Sequence, residues 1–153
     1  MKKNLGTQED YLALDKQFCF ALYSASLAMT KTYKPLLDEL GLTYPQYLVM
    51  LVLWKQDDIL VKEIGEALFL DSGTLTPLLK RLEAAEIISR QRDANDERQV
   101  RVRLTDAGRK LRRQAEKIPP QILCSSGQDA TQLAQLRAEL QQLRTALHNT
   151  QAE

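Results

Sequence analysis

The chain has 153 residues and a formal net charge of +1, enough for one domain with a buried core but not obviously for two. Its near-neutral total says nothing for or against nucleic acid, and two widely separated cysteines with a single histidine supply no metal-ligand spacing. The polar first ten residues lack the apolar core of a signal peptide, and the longest apolar run, Tyr47 to Trp54, is too short to span a bilayer, so a cytoplasmic chain is expected.

From about Gln8 to Leu40 the pattern predicts one long helix, ended by Pro35 and Gly41, with Leu12, Leu14, Phe18, Leu22, Ala25, Met29, Leu36 and Leu37 as apolar positions. A second series on it, Cys19, Tyr23, Ser26, Thr30 and Tyr33, runs at spacings of three and four and lines a thiol up with hydroxyls. A lone cysteine on an apolar helix face is usually inert core. Here the phenols Tyr23, Tyr33, Tyr44 and Tyr47 are close in sequence, and phenolic hydroxyls can hydrogen-bond a thiolate and favour its charged form. Fourteen residues separate Cys19 from Tyr33, about 21 Å along a straight helix. The two can meet only if the tyrosine comes from a second subunit, which would make the thiol pocket part of a twofold interface.

Thr43-Tyr44-Pro45 opens the next helix, and Tyr47 to Trp54 is apolar nearly all round, which predicts a central buried helix. Val61, Ile64 and Leu68, then Leu75, Leu78, Leu79 and Leu82, predict two amphipathic helices interrupted at Phe69 to Gly73, with Asp71 or Ser72 as the cap. That is a helix-turn-helix pattern, in which the second helix offers Ser72, Gly73, Thr74 and Thr76, then Lys80 and Arg81, to a major groove. Pro77 either costs that helix a backbone hydrogen bond or moves its start to Thr76. Ile87 to Arg92 and Arg98 to Leu104 read as two strands around a turn at Asp93 to Glu97. In the second, Val100, Val102 and Leu104 face one side while Gln99, Arg101 and Arg103 face the other. The resulting wing has an arginine-rich outer face, including Arg90 and Arg92, and a tip where Asp96 and Glu97 stand beside Arg98 and can hold its guanidinium extended.

Charge is segregated to match. Lys80 to Lys117 contains twelve Lys and Arg against seven Asp and Glu, a local +5 that leaves −4 for the rest. After the wing, Thr105 to Gly108 leads into a basic helix that Pro119-Pro120 is expected to stop, with Cys124 in a loop-like stretch beyond. Asp129 and Gln132 resemble a capping box for a last helix whose Leu133, Leu136, Leu140, Leu143 and Leu147 form a short heptad seam. The expected fold is mainly α with a small β-hairpin wing. Residues 45–104 form the winged helix-turn-helix, and 8–44 and 105–153 supply dimerisation helices of a single chain.

This arrangement resembles the MarR family of winged-helix repressors. The segments Gln17 to Ala25, Gly41 to Tyr47 and Leu70 to Lys80 resemble its OhrR branch, which senses organic hydroperoxides. The resemblance implies a homodimer on a pseudo-palindromic double-stranded operator, with no cofactor and no enzymatic turnover. It implies that Cys19 is the peroxide-reactive cysteine and that Tyr33 and Tyr44 reach it from the partner subunit, with Tyr23 nearby. It further implies that Cys124 is the resolving cysteine for Cys19 of the other subunit, and that Arg98, flanked by Asp96, enters a minor groove. Rival expectations are a repressor released by a small phenolic ligand without thiol chemistry, a thiol peroxidase, and a helical scaffold that binds no DNA.

Overall fold

The computed structural model describes residues 11–151. The expectations for the polar N-terminus, including a helix start at Gln8, lie outside them. The chain divides into two compact units, one running to Ala115 and the other from Glu116.

In the first unit the long N-terminal helix is broken. A 3₁₀ turn, Leu14–Lys16, precedes α1, Phe18–Asp38, and Gln17 between them is extended at φ −88°, ψ 111°. The Gln17 side-chain amide fixes this break by donating to the carbonyls of Tyr11 and Ala13. Pro35 does not end α1 as its sequence position suggested; it lies inside the helix. The ring takes an exposed position, while Leu37, almost fully buried, holds the last turn to the core. Gly41, at φ 67°, then reverses the chain so that the Leu42 amide returns to the Leu37 carbonyl at 3.1 Å.

Helix α2, Tyr44–Lys55, starts from a capping box: the Thr43 hydroxyl accepts from the Gln46 amide, and the Gln46 side chain accepts from the Thr43 amide at 2.9 Å. Pro45 falls in the first turn, where its missing N–H costs nothing. Tyr47, Val49, Met50 and Leu53 are all 3% exposed or less, so α2 is the expected central buried helix. Strand β1, Ile59–Leu60, leads into α3, Val61–Leu68, whose Glu63 carboxylate accepts the Leu60 amide at 2.7 Å. The turn to α4, Ser72–Ala84, uses Phe69 rather than glycine in the left-handed conformation, at φ 56°. Asp71, not Ser72, caps α4 by accepting the Thr74 amide at 2.7 Å. Pro77 therefore sits well inside α4 and gives up one backbone bond. The helix survives because Leu75, Leu78, Leu79 and Leu82 are buried along its inner face while Pro77 is exposed.

The wing is β2, Ile88–Arg92, and β3, Val100–Leu104, paired antiparallel from Ile88 with Leu104 to Arg92 with Val100. A third strand was not expected from the sequence: β1 adds to the other edge of β3 through Ile59 with Val102 and Leu60 with Arg101, giving the order β1-β3-β2. Two residues are too few to show period-two alternation. Val102 and Leu104 face the core as expected.

Helix α5, Asp106–Ala115, packs against α2 and β3 within the same unit. Its closest approach is at Gly108, whose carbonyl accepts the Trp54 indole N–H at 2.9 Å. A Cβ on Gly108 would stand 2.2 Å from the Ile87 carbonyl oxygen.

The basic helix ends at Ala115, ahead of Pro119 and Pro120 as expected, but in the second unit these prolines also open a new helix. They occupy the first turn of α6, Ile118–Ser126, where proline is tolerated, and Cys124 is helical rather than in a loop. The capping box at Asp129 forms as expected: its carboxylate accepts the Gln132 amide at 2.8 Å and its own amide donates to Gln132 at 2.9 Å. Helix α7, Ala130–Gln151, has no buried residue, and Leu136, Leu140 and Leu147 of its seam are 40–52% exposed. Among the described residues no helix is long and apolar enough to cross a membrane.

Candidate nucleic-acid interface and thiol site

The candidate reading head is the N-terminal half of α4. Its first-turn amides are the unsatisfied donors of any helix start, and Asp71 takes one of them. The Thr74 backbone bond is the main reason the Asp71 carboxyl is held below the usual carboxylate range. Ser72, Gly73, Thr74, Lys80 and Arg81 are exposed and Thr76 is half-buried. Ser72, Thr76 and Lys80 are four apart and so share one stripe of the helix. The arrangement offers hydroxyls at the leading end and two cations behind them, a combination suited to base edges and flanking phosphates.

Arg92 and Arg98 of the expected arginine-rich wing face are exposed, and Arg90, Arg101 and Arg103 are held by carboxylates. Arg98 is 91% exposed at the tip, and its guanidinium lies along Asp96, with Nε to Oδ1 at 3.0 Å and Nη2 to Oδ2 at 3.3 Å. The Arg98 side chain is the first cause of the lowered Asp96 pKa. Arg92 is also exposed, donating to the Glu97 carbonyl at 3.4 Å. The other three arginines are committed. Arg90 bonds Glu83 of α4 at 2.8 Å, which ties the wing to the reading helix. Arg101 reaches Asp93 at 2.6 Å and the Asp58 carbonyl at 2.6 Å, and Arg103 reaches Asp58 at 2.9 Å.

Sequence reading missed Asp58, Glu83 and Asp93. Asp93 is 6% exposed, and its other carboxylate oxygen accepts the Asn95 and Asp96 amides, so it is the organiser of the tip. The only sequence signal for it was an acid at the head of a turn, a position favoured because the side chain can accept amides two and three residues on. Asp58 carried no such signal.

The structure separates the predicted thiol-site residues into two groups. Cys19 is exposed in the first turn of α1, one residue in from its start. Around it Phe18, Phe20, Leu22 and Tyr23 are 40–64% exposed, an apolar surface that no other described residue covers. At the far end, Tyr33 packs tilted against Tyr44 with ring centres 4.8 Å apart, and Tyr47 joins both at 5.9 and 6.2 Å. Burial, then the neighbouring Tyr44 and Tyr47, pushes the Tyr33 phenol up to about 12; burial likewise raises Tyr44 and Tyr47. These phenols therefore remain O–H donors throughout the neutral range. Tyr23 stands one turn from Cys19 on α1, while the Tyr33 and Tyr44 pair is built at the other end of the helix, as its length requires. Cys124 is exposed on α6. Among the described residues no group of three or more His, Cys, Asp and Glu could hold a metal ion.

Comparison with known proteins places the fold in a family. Residues 31–114 match the family described as "Transcriptional regulator SarA/Rot". The chain is 50% identical over 139 residues to the organic hydroperoxide resistance transcriptional regulator of Bacillus subtilis, covering 91% of this chain and 95% of that one. Two solved structures of AbfR are similar at 34% identity. Reduced AbfR bound to DNA has a TM-score of 0.76, over 94% of this chain and 98% of that one. Disulfide-formed AbfR has a TM-score of 0.61, over 95% and 97%. A cap-anchored helix, a wing with an extended tip arginine, and 50% identity over nearly the whole chain to a hydroperoxide-response regulator converge: the chain belongs to the winged-helix, MarR-type transcriptional regulators, in the OhrR branch, a family of DNA-binding regulators rather than enzymes.

Proposed function

We propose that the homodimer is a cytoplasmic repressor that releases its operator when an organic hydroperoxide oxidises Cys19. The single observation that carries this reading is the placement of Cys19: an exposed thiol at a helix start, ringed by uncovered apolar side chains, with a cluster of neutral phenols one helix length away. Pairing α1 antiparallel with its twofold mate would cover those side chains and bring Tyr33 and Tyr44 of one subunit to Cys19 of the other. The uncovered leucine seam of α7 supports a second dimer contact.

In the reduced state each α4 enters a major groove through Ser72, Gly73, Thr74 and Thr76, with Lys80 and Arg81 on phosphates, and each Arg98, braced by Asp96, enters a flanking minor groove. Arg92 adds a phosphate contact, while Arg90 serves DNA binding through Glu83. On exposure to ROOH, the Cys19 thiolate attacks the terminal peroxide oxygen. An S–O bond forms, the O–O bond breaks, the leaving alkoxide takes up a proton as ROH, and Cys19 becomes a sulfenic acid. Phenolic O–H groups from Tyr33 and Tyr44 hold the thiolate before attack. The Cys124 thiol of the partner subunit then attacks the sulfenic sulfur and water leaves, giving an intersubunit disulfide. A disulfide needs Cα atoms within about 7 Å, so its formation constrains the terminal helices and shifts the spacing of the two reading heads. Derepression of a gene whose product destroys the same hydroperoxides follows.

A gel shift with upstream DNA tests this, using reduced wild type and Cys19→Ser before and after an alkyl hydroperoxide. Wild type should let go and the variant hold on. Release of both, or of neither, would remove the thiol switch and leave release by a bound ligand as the alternative.

A further inference from the structure

The aim of the wing is set from outside the wing. A two-stranded ribbon is marginally stable by itself, and β1 steadies β3 through only two residue pairs. What spans from the body of the domain to the tip is a chain of charged contacts. Asp58, just before β1, accepts Arg103 Nε at 2.9 Å through Oδ1, and its main-chain carbonyl accepts Arg101 Nη1 at 2.6 Å. Arg101 Nε continues to the Asp93 carboxylate at 2.6 Å. Asp93 fixes the Asn95 and Asp96 amides, and Asp96 braces Arg98. Neighbouring Asp57 secures the root of the same strand by accepting the Leu104 amide at 2.8 Å.

We propose that Asp58 is a positioning residue for DNA recognition, which by clamping Arg101 and Arg103 sets the height and tilt at which Arg98 meets the groove. This rests on the reading of Arg98 as a minor-groove contact. It reassigns Arg101 and Arg103, which a basic strand face would offer to phosphates, to holding the wing. Asp58 has φ 57°, a left-handed conformation held without glycine, so its carboxylate is delivered to β3 by a backbone turn that few other residue types accept.

The test is Asp58→Asn, because asparagine accepts the same backbone conformation and shape while losing the charge. Removing an acid next to the DNA face raises the net charge by one, so simple electrostatics predicts tighter binding to every duplex. Positioning predicts the reverse for one duplex only. The probes are a duplex enriched by the wild-type protein from a random library and a scrambled duplex of the same composition, read by fluorescence anisotropy. Asp58→Asn should bind the enriched duplex about tenfold more weakly, the scale of one lost base-specific contact, with scrambled binding unchanged or slightly tighter. In an Arg98→Ala background the same substitution should have no further effect on the enriched duplex. Equal losses on both duplexes, an equal loss with and without Arg98, or a gain on both would each overturn the proposal. If wild-type protein enriched no duplex at all, the DNA-binding reading itself would fail, a distinguishable result.

Discussion

Replacing Gly108 with alanine puts the packing of α5 on the wing to a quantitative test. The added Cβ would lie 2.2 Å from the Ile87 carbonyl oxygen and 3.2 Å from a Leu104 methyl, where ordinary contact begins at 3.4 Å. Relief therefore needs about 1.2 Å of separation between two main-chain segments. That carbonyl also accepts the Thr105 amide and the Thr105 hydroxyl, each at 3.0 Å, so moving it weakens both. Two hydrogen bonds at about 1 kcal/mol each and overpacking of about 1–3 kcal/mol sum to roughly 3–5 kcal/mol. For a chain of this length that corresponds to a fall in Tm of about 6–20 °C, measured by circular dichroism. Two other glycines calibrate the scale. A Cβ on Gly65 would meet the Leu70 carbonyl at 2.9 Å, a milder clash, whereas on Gly73 its nearest neighbour is the Asp71 side chain at 3.4 Å. Gly65→Ala should fall between, and Gly73→Ala should leave Tm unchanged or slightly raised, since alanine is the better helix former. A Gly108→Ala protein melting within 2 °C of Gly73→Ala, a margin of under about 1 kcal/mol, would refute the packing argument.

Cys124→Ser, treated with an organic hydroperoxide, should show no crosslinked dimer on a non-reducing gel while wild type does; a crosslinked band from the variant would end the resolving role. The tyrosine cluster makes a prediction about alkaline pH. The folded Tyr33 phenol ionises near 12 against an unfolded value of 10.0, so the native state holds the extra proton and the stabilisation present below pH 10 is lost as pH rises toward 12. Phenolate absorbance followed against pH should show a late-ionising step in the native protein that Tyr33→Phe removes; an unchanged late step would contradict the assignment.

Much of the site was legible because it is local. Asp129 with Gln132 is a capping box whose partners are three residues apart, and it formed. Arg98 and Asp96 are two apart, so their pairing needed only a turn. Where local rules were overridden, packing did it. Pro35 and Pro77 both interrupt a helical hydrogen-bond ladder, yet each helix continues because Leu37 in one and Leu75, Leu78, Leu79 and Leu82 in the other are buried around them. The basic helix ends before Pro119 and Pro120 as expected, but the same prolines also open a new helix, an ambiguity that proline carries in any sequence because only the interior of a helix rejects it. Arg101 and Arg103 lay on the predicted face of β3, but whether that face meets phosphate or protein depends on Asp58, more than forty residues earlier.

By itself, then, the order of residues determined the central helices, the turn between α3 and α4 and the two-stranded wing, since each is written in spacings of two to four residues that the backbone enforces without help from distant parts of the chain. Only the tertiary structure decided that β1 completes the sheet, that Gly108 must be bare for Ile87 to pass, and that three of the five wing arginines are spent inside the protein. Those facts depend on which segments, far apart in sequence, share a few ångströms of space, and no local pattern encodes that.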